Sequence, residues 1–208
     1  MKRIINNIKY KIFCKHSPLV ICSVDLKDLP KLQEKDSVQI DAINMNDENN
    51  IKIWLEIQND AFKRNWGIKE CERFLLKHPH VSVLNTYFLK LGNEIVGIVS
   101  NGFFRKNKDI GTAHYLGLRN RAQGKGLGKY LLSYSYNELK KNGYKICEAE
   151  TTIDRKRSLL IHFDFGFKPK VKFDYWNTPD NVNMITRKIV SFRLKKFYAS
   201  WRHSPVKI

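Results

Sequence analysis

Cysteine is scarce in this chain. There are four in 208 residues, at positions 14, 22, 71 and 147; none forms a C-x-x-C pair, and no histidine falls near them at metal-ligand spacing. This argues against a disulfide framework and against a structural zinc centre, so no metal is expected and a reducing, cytoplasmic compartment is. No apolar run approaches 18 residues, so no membrane-spanning helix is expected. The most leader-like stretch, 18–24, follows Lys15 and His16 and is closed by Asp25, which makes it too short for a signal peptide. Repeats and low-complexity segments are missing too, which excludes solenoids and arrays. Acidic residues are few: 20 against 38 Lys and Arg, for a net charge of +18. They are absent from residues 1–20, which hold five basic side chains (Lys2, Arg3, Lys9, Lys11, Lys15). They are also absent from 181–208, which hold seven (Arg187, Lys188, Arg193, Lys195, Lys196, Arg202, Lys207). A nearly ordinary middle therefore lies between two basic arms, and arms of one sign imply an anionic partner without naming it.

What is present suffices for one domain. The chain is 42% hydrophobic and 12% aromatic, enough for a buried core and too much for wholesale disorder. Residues 19–24 suit a short strand, and 38–43 alternate as a half-buried strand does. Asn46 and Asp47 offer caps to a helix carrying Ile51, Trp54, Leu55, Gln58, Ala61 and Phe62 on one side, and a second short helix fits 68–76. Strands are expected at 86–91, 94–104 and 110–118, with polar 105–109 as a turn. A helix over 128–141 ends at Asn142-Gly143; a strand over 146–153, a helix over 156–164 and two last strands at 170–176 and 183–189 follow. The order β αα βββ α β α ββ is an α+β arrangement around one central sheet. Beyond it, Val190, Leu194, Phe197 and Trp201 repeat at helical spacing, with Arg193, Lys195 and Lys196 off that stripe, as in a basic amphipathic helix.

The most informative stretch is Gln123-Gly124-Lys125-Gly126-Leu127-Gly128-Lys129, between an expected strand and an expected helix. Glycines let backbone approach a ligand closely, and a helix N-terminus offers amides to an anion, so the loop suits a phosphate or pyrophosphate. It is not a dinucleotide fingerprint, because the third glycine position is Lys129, nor a P-loop, because positions 123 and 130 are Gln and Tyr. A plain glycine-rich turn is the alternative.

With its surroundings, Tyr115 through Leu132, this stretch resembles the acetyl-CoA motif of the GNAT superfamily of acyl-CoA N-acyltransferases: a strand, then [QR]-x-x-G-x-[GA], then a Leu-rich helix. Gln123, Gly126 and Gly128 fill that motif. About forty residues on, Ile161-His162-Phe163-Asp164-Phe165-Gly166-Phe167 resembles the family's second signature, a helix ending in an aromatic and Gly-Phe. The element order is similar as well. The resemblance implies a GNAT-like fold with a central mixed, mostly antiparallel sheet flanked by helices. It assigns 38–190 to the acetyltransferase domain, 1–37 to a basic N-terminal extension and 191–208 to a basic amphipathic C-terminal one.

The resemblance further implies acetyl-CoA (or another acyl-CoA) as co-substrate and direct attack by a primary amine. Backbone groups of Leu116 and Leu118 would contact the pantetheine arm where two strands splay apart. Amides of Gln123, Gly124, Lys125, Gly126, Leu127, Gly128 and Lys129 would hold the pyrophosphate. Lys125 and Lys129 either add charge there or are solvated surface residues. His162 stands where the family often has a Tyr that protonates the leaving thiolate; it is an acid or a residue that packs the helix. Arg155 stands where the family has an Asn on the cofactor and would contact its phosphates. His114 is the candidate base, or a buried strand histidine. The departures at His162 and Arg155 leave a second function open, a non-catalytic acyl-CoA-binding adaptor with basic arms.

In such a fold Trp54, Phe62, Trp66, Tyr175 and Trp176 are candidates to line the acceptor site. The acceptor is expected to be a small-molecule amine, with a lipid-linked or nucleotide-linked amino sugar as one form. The arms are solvated, or bind nucleic acid, or lie on an anionic membrane; the last is preferred, because Phe192, Phe197, Tyr198 and Trp201 suit a lipid interface. That preference places the protein in the cytoplasm, peripheral to the inner membrane face.

Overall fold

A computed structural model describes residues 19–29, 35–153, 155–172 and 184–203. The basic N-terminal side chains from Lys2 to Lys15, the candidate acceptor residues Tyr175 and Trp176, and the side chain of Trp201 lie outside the described residues. In chain order the elements are β1 (Leu19–Asp25), β2 (Val38–Ile43), α1 (Glu48–Phe62), α2 (Ile68–Cys71, continued by a π-helical turn over Glu72–Leu76), β3 (Val81–Leu91), β4 (Glu94–Phe104), β5 (Asn107–Leu118), α3 (Leu127–Lys141), β6 (Ile146–Thr152), α4 (Lys156–Asp164), β7 (Lys168–Lys172) and α5 (Met184–His203). The chain divides into two compact units, Asp25–Glu148 and, together, Met1–Val24 and Ala149–Ile208.

The larger unit is built on β2, β3, β4 and β5, each antiparallel to the next, and β5 runs parallel to β6 from Ile110↔Ile146 to Thr112↔Glu148. This is the mixed, mostly antiparallel α+β arrangement expected. Hydrophobic residues leave on both faces of the strands, because helices cover both. On one face Trp54, Leu55 and Ile57 of α1 and Cys71 and Leu75 around α2 meet Phe88 and Ile98. On the other, Leu127 and Leu131 of α3 meet Tyr87, Leu89, Val96 and Val99. The Asp47 carboxylate caps α1 by accepting from the Asn49 amide at 2.8 Å. β3 begins at Val81, five residues before the expected start, because 81–85 continue the pairing with β4 out to Val81↔Phe104. The β4–β5 hairpin also closes tighter than expected: Phe104 faces Asn107 across it, and 107–109 are exposed strand rather than turn.

The smaller unit corrects one expectation. The stretch expected as a last strand at 183–189 is not one; from Met184, where helix α5 begins, the chain is helical and runs unbroken through 190 to His203. No Gly or Pro interrupts this stretch, and Ile185, Ile189 and Phe192 already follow helical spacing, so tertiary context overrides β-branched composition here. The antiparallel partner of β7 comes instead from the other end of the chain: β1 pairs with it from Leu19↔Lys172 to Ser23↔Lys168. Strand β1 also adjoins β6. The N-terminal region therefore supplies a strand of the fold, and is not only an extension.

Candidate active site

The site begins with an irregularity in β5. Gly117 faces Ile98 and His114 faces Ser100, so Tyr115 and Leu116 together span the single residue Val99. This is a β-bulge, and Tyr115 takes φ +56°, a left-handed conformation that costs a bulky residue about 1–2 kcal/mol. The bulge resets which side chain goes where. Tyr115 packs with the α1–α2 core, while Leu116 and Leu118 pack with the α3 core. Simple alternation would send His114, Leu116 and Leu118 to one face; the bulge separates the histidine from the two leucines. The β5–β6 ladder ends at Thr112↔Glu148, so the bulged half of β5 continues beyond it.

The loop after β5 is clamped to α1. Asn120 donates from its backbone amide to one Asp60 oxygen at 2.7 Å and from its side chain to the other at 2.6 Å and to the Asp60 carbonyl at 3.0 Å. Arg119 donates from Nε to the Ile95 carbonyl and pairs with Glu56 at 2.9 Å. Gln123 turns its side chain inward, donating to the Leu118 carbonyl at 3.1 Å. Gly124 and Gly126 then take φ +78° and +72°. Gly126 is the N-cap of α3 and, being glycine, brings no side chain of its own to cap that end. The first intrahelical bond runs from the Tyr130 amide to the Gly126 carbonyl at 3.1 Å, so the amides of Leu127 and Gly128 point out of the helix end.

The three glycines differ in what compels them. Positive φ demands glycine at 124 and 126 whatever the loop binds. Gly128 has no such backbone, and a Cβ there would meet only the Leu118 and Leu116 side chains at 3.4 and 4.0 Å, ordinary contact. The fold does not require glycine at 128, so its bareness fits a group lying against the helix start. A cation that the sequence did not mark stands beside the loop. Lys35 Nζ lies 3.5 Å from where a Cβ on Gly126 would be. Lys125 is exposed and Lys129 half-buried.

On the opposite face, aromatic rings collect behind the bulge. Trp54 stacks on Trp66 and Trp66 on Phe74, with Tyr115 edge-on to both tryptophans. Asn59 fixes Trp66 by bonding both its backbone groups, at 2.8 and 2.9 Å, and Arg64 lies over the Trp66 ring at 4.2 Å. Of the candidate acceptor residues, Trp54 and Trp66 thus pack together in the core, while Phe62, half-buried, carries the Arg64 guanidinium at 5.2 Å. His114 donates from Nε2 to the Phe74 carbonyl at 3.2 Å and touches His78 at 4.8 Å between ring centres. Burial, reinforced by the neighbouring His78, pushes its pKa down to about 4. His78 is likewise lowered to about 4 by burial, then by His80 and Arg105; its Nδ1 accepts from the amides of His80 and Val81. Both imidazoles are therefore neutral at pH 7. Within this group Trp54 Nε1 and both amide atoms of the fully buried Gln58 have no hydrogen-bond partner among the described residues.

The remaining candidates belong to the smaller unit. His162 is buried in α4 beside Phe167, ring centres 5.2 Å apart, and burial lowers its pKa to about 4. Arg155 precedes α4 as its exposed N-cap. The sequence reading missed Lys35, the Asp60–Asn120 clamp, the Tyr115 bulge and Gln58. Only the pattern Asp60…Asn120 carries polar residues that could have drawn notice, and nothing in the sequence pairs them.

A family model described as Acetyltransferase (GNAT) family matches residues 51–167. No curated protein sequence matches the chain. Solved structures similar in fold include a GCN5-related N-acetyltransferase from Kribbella flavida (13% identity, 76% of this chain and 56% of that one, TM-score 0.53). They also include the ribosomal-protein-S18-alanine N-acetyltransferase of Escherichia coli (16%, 63% and 77%, 0.52) and an aminoglycoside acetyltransferase from an uncultured soil metagenomic sample (14%, 71% and 100%, 0.54). The chain spans little more than half the length of the Kribbella protein.

Proposed function

The chain belongs to the GNAT acetyltransferase family, and from that premise we propose that it transfers an acetyl group from acetyl-CoA to a primary amine by direct attack in a ternary complex. The observation that carries this reading is Gly128, a glycine the backbone does not demand, at an uncapped helix start beside Lys35. When bound, acetyl-CoA would supply the activated thioester. The amides of Leu127 and Gly128, with neighbouring loop amides from Gly124 to Lys129, would hold its pyrophosphate, and Lys35, Lys125 and Lys129 would add charge; the Gln123 amide, counted with them from the sequence, is already given to the Asn120 carbonyl at 3.2 Å. Backbone groups of Leu116 and Leu118 line the course of the pantetheine arm, the Leu118 carbonyl already taking one bond from Gln123.

Proton handling follows from the two histidines. His162 is neutral at pH 7, and a neutral imidazole is a poor source of a proton for the thiolate, so solvent supplies most of that proton. His114 has one lone pair left, on Nδ1, and a conjugate acid too strong to strip an ammonium efficiently. Its role in the reaction is to hold the wall of the acceptor side, while proximity of the bound partners supplies most of the acceleration. The acceptor is an amine on a small molecule. The unpartnered Gln58 and Trp54 atoms favour one with neutral hydrogen-bonding groups over a purely apolar amine.

Calorimetric titration with acetyl-CoA, using Gly126→Trp as control, tests the reading, followed by thiol release with a panel of primary amines. Binding that the control loses, with thiol release dependent on amine, supports it. Binding without release under any amine leaves the adaptor function, and no binding of acetyl-CoA, CoA or a longer acyl-CoA overturns both.

A further inference from the structure

Helix α5 has two faces, and among the described residues only one is packed. Leu194 is buried, and Phe197 and Tyr198 pack against Phe163 of α4 at 5.9 and 4.9 Å between ring centres. Two of the aromatics that composition offered to a lipid interface, Phe197 and Tyr198, are thus spent inside. The opposite face carries Lys188, Ile189, Phe192, Lys195, Lys196 and Ala199, which helical spacing sets side by side and which are all exposed. Phe192 is 67% exposed and Ile189 47%. No acidic residue occurs from 181 to 208.

We propose that this outer face of α5 docks on an anionic lipid bilayer, with Phe192 and Ile189 entering the headgroup boundary and Lys188, Lys195 and Lys196 on lipid phosphates. A phenyl ring and a branched alkyl group flanked by lysines are the two elements that interfacial helices combine. Charge excludes a second copy of this chain as the occupant, since two such faces would set lysine against lysine. A nucleic acid would satisfy the lysines but leaves Ile189 without a partner. The inference does not depend on the acyl-transfer reading, because none of these residues belongs to the cofactor loop.

The test is sedimentation of the full chain with phosphatidylcholine vesicles, with and without about 30% phosphatidylglycerol, at physiological salt. Binding is expected on the anionic vesicles only. At about 1 kcal/mol for each lysine, neutralising all three as Lys188→Gln, Lys195→Gln and Lys196→Gln weakens it on the order of a hundredfold. Phe192→Ser together with Ile189→Ser weakens it by at least tenfold. Phe192→Trp gives an emission blue shift on anionic vesicles alone. Acetyl-CoA affinity and the thermal midpoint stay unchanged in these variants, which shows the fold intact. No binding, or binding indifferent to Phe192→Ser and Ile189→Ser, overturns the proposal. So does loss of binding to a thirty-nucleotide RNA in the lysine variant while vesicle binding persists.

Discussion

Asn101 and Gln58 are both fully buried primary amides in the larger unit, on opposite sides of its sheet. Asn101 is answered at both ends: its Nδ2 donates to the Ser135 carbonyl at 2.9 Å and its Oδ1 accepts from the Ser135 hydroxyl. Gln58 is answered at neither. The same contrast runs through their surroundings. The α3 side is largely aliphatic, with its buried amide closed into a pair, and it holds the helix that the glycine loop opens. The α1–α2 side is aromatic, carries two neutral histidines and keeps hydrogen-bonding capacity in reserve. Closed networks fix one geometry, whereas reserve capacity is a standing cost that a ligand or water can offset.

Breaking that contrast starts at the cofactor loop. Gly126→Trp forces a bulky residue into φ +72° beside Lys35, and acetyl-CoA affinity is expected to fall more than a hundredfold by calorimetry. If affinity survives, the α3 side is not the cofactor side.

Acid should loosen the aromatic side. His78 and His114 have folded pKa values near 4, below the ordinary 6.5, so the unfolded chain binds more protons between those values. Their contribution to stability is complete above about pH 6.5 and is lost as pH falls toward 4, at most about 3 kcal/mol for His114 and less for the half-exposed His78, where solvent screens the effect. His114→Phe is expected to flatten the dependence of the thermal midpoint on pH in that window. A dependence unchanged by the substitution would mean His114 is not neutral by burial.

The amide pair gives a sharper comparison. Asn101→Leu strands the Ser135 groups and should cost about 2–3 kcal/mol in urea unfolding, while Gln58→Leu should cost little or stabilise by about 1 kcal/mol, because it removes an orphan. Equal costs would show that Gln58 is answered by bound water in the free protein. Gly128→Ala is the mildest change. It should raise stability by about 0.5–1 kcal/mol, since a Cβ fits there, yet weaken acetyl-CoA binding several-fold. Unchanged affinity would remove the observation on which the proposed function rests.

Much of this was legible in the residues themselves. Alternation marked β2, strand runs bounded by turn residues marked β4 and most of β5, and Asp47 and Asn142-Gly143 marked helix ends, because those signals are local. The loop was legible for the same reason: glycine spacing states a backbone requirement directly. The stretch 183–189 misled, since β-branched residues favour strands only where a partner strand exists, and β7 already pairs with β1.

By itself the sequence determined most of the element types, the glycine loop, the two basic arms and the family, since each depends on neighbours in the chain or on a short motif. Tertiary structure alone decided that β1 serves β7, that Asp60 clamps Asn120 and that Lys35 stands by Gly126. It alone decided that a bulge at Tyr115 sends His114 and Leu118 to opposite faces, and that α5 leaves Phe192 outside. The physical reason is range. These are meetings of residues tens of positions apart, set by packing against partners that no local pattern identifies.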